Sequence, residues 1–372
     1  MAIRFCEDRR RLFWGQFEYR DDDVIDIHDE HQLEQFRKAQ RLDPARIQLI
    51  RKRLLRRFFS DAESVSGTPN ADELKLHCLK LHSSFDSEID GATKLLFQNE
   101  QGLLLETVIL RIASGRTTLC VSSQVGCAAA CDFCATGKMG IARSLTAAEI
   151  LDQVVQAGQM LEAEGRSFRN IVFMGMGEPF HNEHNLHQAL DVLINPNGFA
   201  RSPGSLLVST VGIPDAMCRL AERFPKVNLA LSLHSARQSI RESIVPLAKN
   251  FDLETLKVAV TELNQVHDRR VMIEYLMLKD VNDTAADVEA LLQWVHGLQV
   301  HVNLIPFNFV ETASHLEPTD PEHITNFAQQ LRQAGIKTTV RYSLGHDIAA
   351  ACGQLVQMEN RRRARELPVV ES

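Results

Sequence analysis

The chain has 372 residues, of which 44% are hydrophobic, and a formal net charge of −7. This length allows one large domain and a smaller one, and no apolar run approaches the length of a membrane span. The acidic total argues against general DNA coating, although a local basic patch could still bind nucleic acid. The charged N-terminal residues contain no apolar signal-peptide core. We therefore expect a cytoplasmic protein with reduced thiols and no membrane contact.

The residues from 1 to about 95 are highly charged and lack a regular alternation of strands and helices. The segment QLEQFRKAQRLDPARIQLIRKRLLRRFF predicts two helices that are interrupted at Asp43-Pro44. A loop is expected at 64–74 and a strand pair at 93–98 and 103–112, around the turn NEQG.

From Thr117 onward, short β-branched segments alternate with longer amphipathic ones. The predicted strands are 117–123, 169–175, 205–210, 227–234, 271–278, 301–307 and 337–343. The predicted helices lie near 145–163, 183–194, 213–223, 253–266, 284–297 and 321–334. Buried strands joined by helices imply a parallel α/β sheet or barrel, in which ligands gather at the carboxyl ends of the strands.

Three cysteines, Cys127, Cys131 and Cys134, lie within eight positions after the first of these strands. A structural zinc site needs four protein ligands, whereas three thiolates leave a metal position open. A [4Fe–4S] cluster held by three thiolates has one iron free to bind a ligand. A zinc site that takes a fourth ligand from a distant part of the chain is the alternative.

Small and polar residues follow the next predicted strands. They occur in MGMGEP (174–179), VST (208–210), SLH (232–234) and NLIPFN (303–308). A glycine-rich turn after a strand is more often structural than functional, and each of these segments alone would be an ordinary strand end.

Taken together, RTTLCVSSQVGCAAACDFCATG, FMGMGEP, SLHSA, NLIPFN and DIAAACGQL resemble the RlmN/Cfr family of radical S-adenosylmethionine (SAM) RNA methyltransferases. The resemblance covers about residues 100 to 357, whereas the N-terminal part matches poorly and only QFRKAQ (35–40) is similar to a family segment. It implies an α/β fold, a partial (β/α)6 radical-SAM barrel with a small, mostly helical N-terminal domain. The implied division is an accessory domain at 1–95, the barrel with a strand extension at 96–357 and a basic tail at 358–372.

The resemblance also implies the site residues. Cys127, Cys131 and Cys134 would hold one [4Fe–4S] cluster. The SAM contacts would be Gly177, Glu178, Ser209, Ser232, Leu233, His234 and Asn308.

In this family, the target is carbon C2 (RlmN) or C8 (Cfr) of an adenosine, an electron-poor carbon that cannot attack a methyl group itself. By resemblance, Cys352 carries the methyl group, Cys120 releases the product by forming a disulfide with Cys352, and Glu106 is the general base. Without the resemblance, Cys120 could be a packed core thiol, Cys352 lies in an ambiguous turn and Glu106 could face solvent. We interpret Cys6, Cys78 and Cys218 as structural.

The expected function is therefore C2 methylation of adenosine in large-subunit ribosomal RNA and in tRNA. MGMGEP and IPFN are more similar to RlmN, but SPGSLLVSTVGIP and KVNLALSLHS are more similar to Cfr, so C8 methylation is the first alternative. A radical-SAM enzyme with a different substrate and a plain iron–sulfur protein are the others, and the last has no use for Cys120 and Cys352.

The implied partners are RNA and an electron donor such as flavodoxin or ferredoxin, and we expect a monomer. The basic segments 46–57 and 361–366 are either solvated surfaces or RNA-binding surfaces.

Overall fold

The computed structural model describes residues 25–267, 269–341 and 343–354. Cys6 and the predicted basic tail at 358–372, with its segment RRRARE, lie outside the described residues.

Short helices form most of the N-terminal part. Helix α1 (Glu30–Ala39) begins after Asp29, whose side chain accepts hydrogen bonds from the backbone N–H groups of the first turn. Helix α2 (Pro44–Arg51) begins after Asp43, with proline at its first position, and continues as a π-helical turn at Lys52–Arg56. The predicted interruption at Asp43-Pro44 is confirmed.

A short helix and a pair of short strands complete this part. Helix α3 (Asp61–Val65) has a capping box formed by Ser60 and Glu63. Strand β1 (Ile25–Asp26) pairs in parallel with β2 (Leu74–Lys75).

The remaining strands are, in chain order, β3 (Lys80–Asp86), β4 (Ala92–Gln98), β5 (Leu104–Arg111), β6 (Thr117–Cys120), β7 (Gln124–Gly126), β8 (Ile141–Ser144), β9 (Asn170–Phe173), β10 (Leu206–Thr210), β11 (Asn228–Ser232), β12 (Val271–Met277), β13 (Val300–Pro306) and β14 (Thr338–Val340). The remaining helices are α4 (Ala135–Met139), α5 (Ala147–Ala163), α6 (Glu183–Ile194), α7 (Pro214–Arg223), α8 (Gln238–Ile244), α9 (Leu253–Val266), α10 (Ala285–Val295) and α11 (Pro321–Gln333). None of the helices within the described ranges is long and apolar enough to cross a membrane.

Ten strands form one mixed sheet in the order β14-β13-β12-β11-β10-β9-β6-β5-β4-β3. The seven strands from β6 to β14 in this order are parallel, and β5, β4 and β3 extend them as antiparallel strands. The sheet is open, with β14 and β3 as its edges, so the predicted partial barrel is confirmed. All seven predicted parallel strands and all six predicted helices are present; β3, the β7–β8 hairpin, α4 and α8 were not predicted.

The loop at 343–354 connects the two sides of this open sheet. The backbone N–H of Gly345 donates to Asp90 at 2.8 Å, and Ser87 donates to Asp347 at 2.8 Å. The C-terminal loop is therefore fastened to the turn between β3 and β4.

The two faces of the parallel sheet have different roles. Paired residues on neighbouring strands share a face, and side chains alternate along each strand. Tyr275 of β12 lies on the outer face, where its ring is 5.6 Å from that of Phe327 on α11. Its neighbour Glu274 therefore lies on the inner face, together with Ser232, to which it is paired. The outer face packs against helices, and the inner face lines cavities.

Two contacts fasten the N-terminal helices to α5. Phe58 lies against Gly158, where a Cβ atom would come within 2.3 Å of the Phe58 ring. His77 contacts two carboxylates, with 2.6 Å from Nδ1 to Asp152 and 2.9 Å from Nε2 to Asp61. Burial by itself would lower the pKa of His77, but the carboxylates outweigh it and raise this pKa to about 10. His77 is therefore a cation that bridges the two parts.

We expect His77→Ala to lower the free energy of unfolding by about 3–5 kcal/mol, because it leaves the fully buried Asp152 carboxylate without its ion-pair partner. The folded pKa is raised, so this stabilisation is complete below the unfolded pKa of about 6.5 and is lost as pH rises through about 10. Urea unfolding at pH 6, 8 and 10 measures both effects, with His82→Ala, at an exposed position, as the control. A His77→Ala protein with the wild-type pH profile would contradict the bridge.

Candidate active site

The three clustered cysteines lie on one loop that is closed by the β7–β8 hairpin. The N–H of Cys127 donates to the carbonyl of Gly140 at 2.9 Å, so the two ends of the loop meet. Gly126 has a positive φ of 85°, and a Cβ atom there would lie 1.9 Å from the same Gly140 oxygen. Glycine at position 126 is thus required for the loop to close.

The three thiols line one cavity at the carboxyl ends of the parallel strands. Burial, with a contribution from the Cys134 thiol, raises the pKa of Cys127 to about 12, while the backbone N–H groups of Ala129 and Ala130 act in the opposite direction. Burial also raises the pKa of Cys134, which the N–H groups at the start of α4 oppose. The site therefore favours thiolates only when a positive partner compensates for burial.

The number of clustered thiols bears on which metal centre they could hold. A structural zinc ion takes four protein ligands. The thiolates of a [4Fe–4S] cluster each bind a different iron, and three of them leave one iron open. The donor set of three thiols that line one cavity therefore fits a [4Fe–4S] cluster.

Most of the predicted SAM residues line the same cavity as the cysteines. These are Gly177, Glu178, Ser209, Ser232 and His234. Leu233 is fully buried. Asn308 is also buried, and its side-chain amide donates to the carbonyl of Cys352 and to Ser343, both at 3.1 Å. The structure thus places Asn308 where it holds the loop that carries Cys352.

Glu178 is buried at the edge of this cavity. Its carboxylate accepts hydrogen bonds from the backbone N–H groups of Val211 at 2.8 Å and Phe180 at 3.0 Å. Burial raises the pKa of Glu178 to about 7, against the effect of these hydrogen bonds. The Thr210 side chain is a third hydrogen-bond partner. A carboxylate has about four acceptor sites, so Glu178 can accept one further hydrogen bond from a cationic amine.

His234 forms a rigid wall of the cavity. It has a positive φ of 59°, its Nδ1 accepts the N–H of Leu276 at 3.1 Å, and its ring meets that of Phe133 edge to face with centroids 4.8 Å apart. Burial and the nearby Arg241 lower the pKa of His234 to about 3. His234 is therefore neutral and does not transfer protons near neutral pH.

Cys352 lies where this cavity meets a second one. It lines both, as do Met174, Glu274 and Arg341. Cys120, on β6, lines the second cavity, and the two thiols are close enough for Cys352 to raise the pKa of Cys120, in addition to the larger effect of burial. The fold therefore brings together two cysteines that are far apart in the sequence, and both are free thiols.

Glu106 lies on the same face of the sheet as Cys120. Cys120 is paired with Val108 of β5, and Glu106 is two residues from Val108. Glu106 is fully buried, and its carboxylate lies 3.8 Å from the Nζ of Lys94. It does not face solvent, which was the alternative interpretation of this position.

Two charged residues that line these cavities, and a third that supports them from behind, were not predicted. Glu274 and Arg341 line both cavities, and Glu274 accepts a hydrogen bond from Asn303 at 3.0 Å. Arg241 is buried, and its guanidinium donates to the carbonyls of Ser232, Leu233 and Val211. Arg241 follows SLHSA by five positions, and this nearness to a family segment could have indicated it. Glu274 is a single charged residue in the apolar strand β12, and Arg341 directly follows β14.

Comparisons with known proteins agree with this geometry. Residues 121–295 match the family model of the Radical SAM superfamily. A probable RNA methyltransferase of Rhodopirellula baltica is 58% identical over 92% of this chain and 90% of its own length. The dual-specificity RNA methyltransferase RlmN 1 of Myxococcus xanthus is 40% identical over 77% of this chain and 79% of its own length. A crystal structure of a radical SAM methyltransferase from Sphaerobacter thermophilus superposes with a TM-score of 0.82 at 38% identity, and covers 87% of this chain and 96% of the other.

Arg241 should hold the ends of β10 and β11 together, because its guanidinium donates to carbonyls at both. Arg241→Leu removes this donor from three carbonyls, of which that of Leu233 keeps the N–H of Ser235, and we expect a cost of about 1–3 kcal/mol for each carbonyl left unsatisfied. Hydrogen exchange should then become faster in 209–212 and 232–235, whereas Lys249→Leu, at an exposed position, should leave it unchanged. Unaltered exchange in Arg241→Leu would show that the loops do not depend on this side chain.

Proposed function

The chain belongs to the RlmN/Cfr family of radical SAM RNA methyltransferases, and on this premise we propose that it methylates carbon C2 of an adenosine through a methylated Cys352. The observation that carries the proposal is the position of Cys352, between the cavity of the clustered cysteines and the cavity of Cys120. A methyl carrier needs access to both a methyl donor and the target base, and this position provides both.

The residues that would hold the cofactors lie in the first cavity. Cys127, Cys131 and Cys134 would hold a [4Fe–4S] cluster, and Gly177, Glu178, Ser209, Ser232 and His234 would contact SAM. When bound, the cluster and SAM supply the electron, the methyl group and the hydrogen-abstracting radical. Glu178 would accept a hydrogen bond from the amino group of SAM. Leu233 and Asn308 would support the wall of this cavity from behind. Asn308 would do so by holding the loop that carries Cys352.

Cys352 and Cys120 would perform the transfer as a pair. Cys352 carries the one-carbon unit and becomes linked through it to the adenosine. The ring then loses its proton to Glu106 and the one unpaired electron left by the radical addition, for which the cluster would be the acceptor. The Cys120 sulfur attacks that of Cys352, so that an S–S bond forms as the bond from sulfur to the transferred carbon breaks. The electron pair left on this carbon takes a proton, which completes the methyl group.

The second cavity gives this pair the environment that the chemistry needs. Both thiols contribute to raising the pKa of Arg341, which shows that its guanidinium lies near them. A nearby cation favours a thiolate, the nucleophilic form of cysteine. Burial otherwise raises the pKa of Cys120 to about 12, so Arg341 opposes that effect.

The names of the relatives support methylation of adenosine at C2 over methylation at C8, and they support two kinds of RNA substrate over one. Several of them, including that from Thermus thermophilus at 41% identity, are named as dual-specificity RNA methyltransferases RlmN. We propose the same breadth here, large-subunit ribosomal RNA and tRNA, with flavodoxin or ferredoxin as the electron donor and the monomer as the active form.

The position and substrate can be tested directly. Reconstituted enzyme, incubated with SAM, a reductant and unmodified ribosomal RNA or tRNA, should produce 2-methyladenosine in both RNAs by nucleoside mass spectrometry. Cys352→Ala, with its iron content intact, is the matched control and should produce none. Formation of 8-methyladenosine would replace the C2 assignment, and no methylated adenosine in either RNA would refute the proposal.

The order of the two cysteines predicts the fate of a trapped intermediate. Cys120→Ala should accumulate protein covalently linked to RNA, because no thiol remains to release Cys352. Cys352→Ala and the double variant should form no adduct, and Cys218→Ala should behave as wild type. Denaturing gels and peptide mapping would show the adduct and its site. Normal product release by Cys120→Ala would exclude the disulfide step.

A further inference from the structure

The second cavity extends from Cys352 to the amino-terminal ends of the parallel strands. Its lining includes the inward-facing residues near the starts of four strands, Thr118, Asn170, Leu207 and Met272. The first cavity, by contrast, is lined by residues at the carboxyl ends, such as Ser209 and Ser232. The two cavities therefore follow one another along the strands and meet at Cys352.

This arrangement restricts how a nucleotide can reach Cys352. The cluster and SAM would fill the first cavity, where the clustered thiols and Glu178 lie. Only the second cavity also contains Cys120, which must reach the Cys352 sulfur when the base is attached. The base must therefore occupy the second cavity, whose far end lies at the amino-terminal ends of the strands.

That end of the sheet has basic residues just before most parallel strands. Five basic residues lie one or two positions before a strand start, and all are exposed: Arg116, Arg169, Lys226, Arg270 and Lys337. Across the described residues, no ion pair includes any of them. In a chain with a net charge of −7, a rim of unneutralised cations is a local exception.

Three arginines at this rim line a separate surface cavity. Arg169, Arg201 and Arg269 are joined there by Phe168 and Gly204. Arg201 is half-buried, with its guanidinium 4.3 Å above the ring of Phe168, and donates to the Phe168 carbonyl at 2.6 Å. Arg269 packs so closely on Gly204 that a Cβ atom there would lie 2.5 Å from its guanidinium. Phe168 therefore holds the guanidinium of Arg201, and that of Arg269 lies over Gly204.

We infer that the RNA docks at the amino-terminal ends of the parallel strands, that the target adenosine enters the second cavity there, and that Arg169, Arg201 and Arg269 bind the phosphates next to it. Arg169 immediately precedes Asn170, which lines the second cavity; successive side chains point to opposite faces, so the phosphate site lies across this edge of the sheet from the base site. Arginine forks suit phosphate oxygens, and the contacts position the backbone without reading sequence. A nucleotide that is flipped out of a loop would present its base and flanking phosphates in this way. The inference rests on the proposed function.

The phosphate site can be tested by removing two exposed charges and leaving Arg201 in place. We expect Arg169→Gln with Arg269→Gln to raise the KM for an RNA stem-loop about tenfold or more and to lower the salt slope of RNA binding by about 1 per lost contact. Iron content and methylation of Cys352, which need no RNA, should stay at wild-type levels. Lys80→Gln with Lys249→Gln, which removes the same charge elsewhere on the surface, is the matched control. A double arginine variant with wild-type KM and salt slope would overturn the inference.

The direction of entry has its own test. Met272→Trp places a larger side chain in the second cavity, and we expect RNA methylation to fall at least a hundredfold while Cys352 is still methylated. Val258→Trp, on the exposed side of α9, should have no effect. Normal RNA methylation by Met272→Trp would show that the base enters elsewhere, whether or not the arginine variants fold.

The two proposals fail in different ways. If wild-type enzyme methylates no adenosine, the proposed function is wrong. If it does so but neither the arginine variant nor the tryptophan variant is impaired, the function remains and the entry route is wrong. If only bulk RNA retention decreases, with unchanged KM, the rim is a general polyanion surface and the phosphate site is refuted.

Discussion

Side chains alternate between the two faces of each parallel strand, and the whole arrangement depends on the register that this alternation fixes. On β12, Ile273 and Tyr275 pack outward against the helices, and Glu274 between them points inward to both cavities. On β6, Leu119 is buried in the core and Cys120 lines the second cavity. A slip of one residue in either strand would put a charge or thiol into the core and an apolar side chain into the site. The packing that stabilises the sheet thus also places the chemistry.

The inner face tolerates charge because its charges have partners. Burial raises the pKa of Glu274, while Arg341 and the hydrogen bond from Asn303 oppose that shift. Taking a charge out of water costs several kcal/mol unless a partner or hydrogen bonds compensate. For Arg241, hydrogen bonds to three carbonyl acceptors compensate for the loss of hydration of its buried charge. Each is positioned by a strand end or a helix rather than by a flexible loop, which keeps the cavity walls fixed.

Much of the fold was predictable, because period-two and helical patterns reflect local packing. The cysteine loop was equally predictable, because its thiols are close in sequence. Other features depend on contacts that no local pattern contains. The proximity of Cys120 and Cys352 was expected only from the family resemblance, and Arg341 is a single basic residue just after the short strand β14. Asn308 stays a predicted SAM contact, and the hydrogen bond that its amide donates to the carbonyl of Cys352 is a long-range contact of the same kind. The basic rim could not be predicted from a local pattern, because its residues are dispersed, one per strand, over more than two hundred positions.

The loop at 343–354 both carries Cys352 and connects the two sides of the open sheet. It is also attached to the cysteine loop, since the carbonyl of Gly353 accepts the N–H of Ala135 at 2.7 Å. During synthesis on the ribosome this segment emerges after every strand of the sheet. A nascent chain that stops before this segment has the cysteine loop and most of the cavity walls but lacks Cys352, the proposed methyl carrier. Under the proposed function, such an unfinished chain would be unable to modify the RNA that surrounds it.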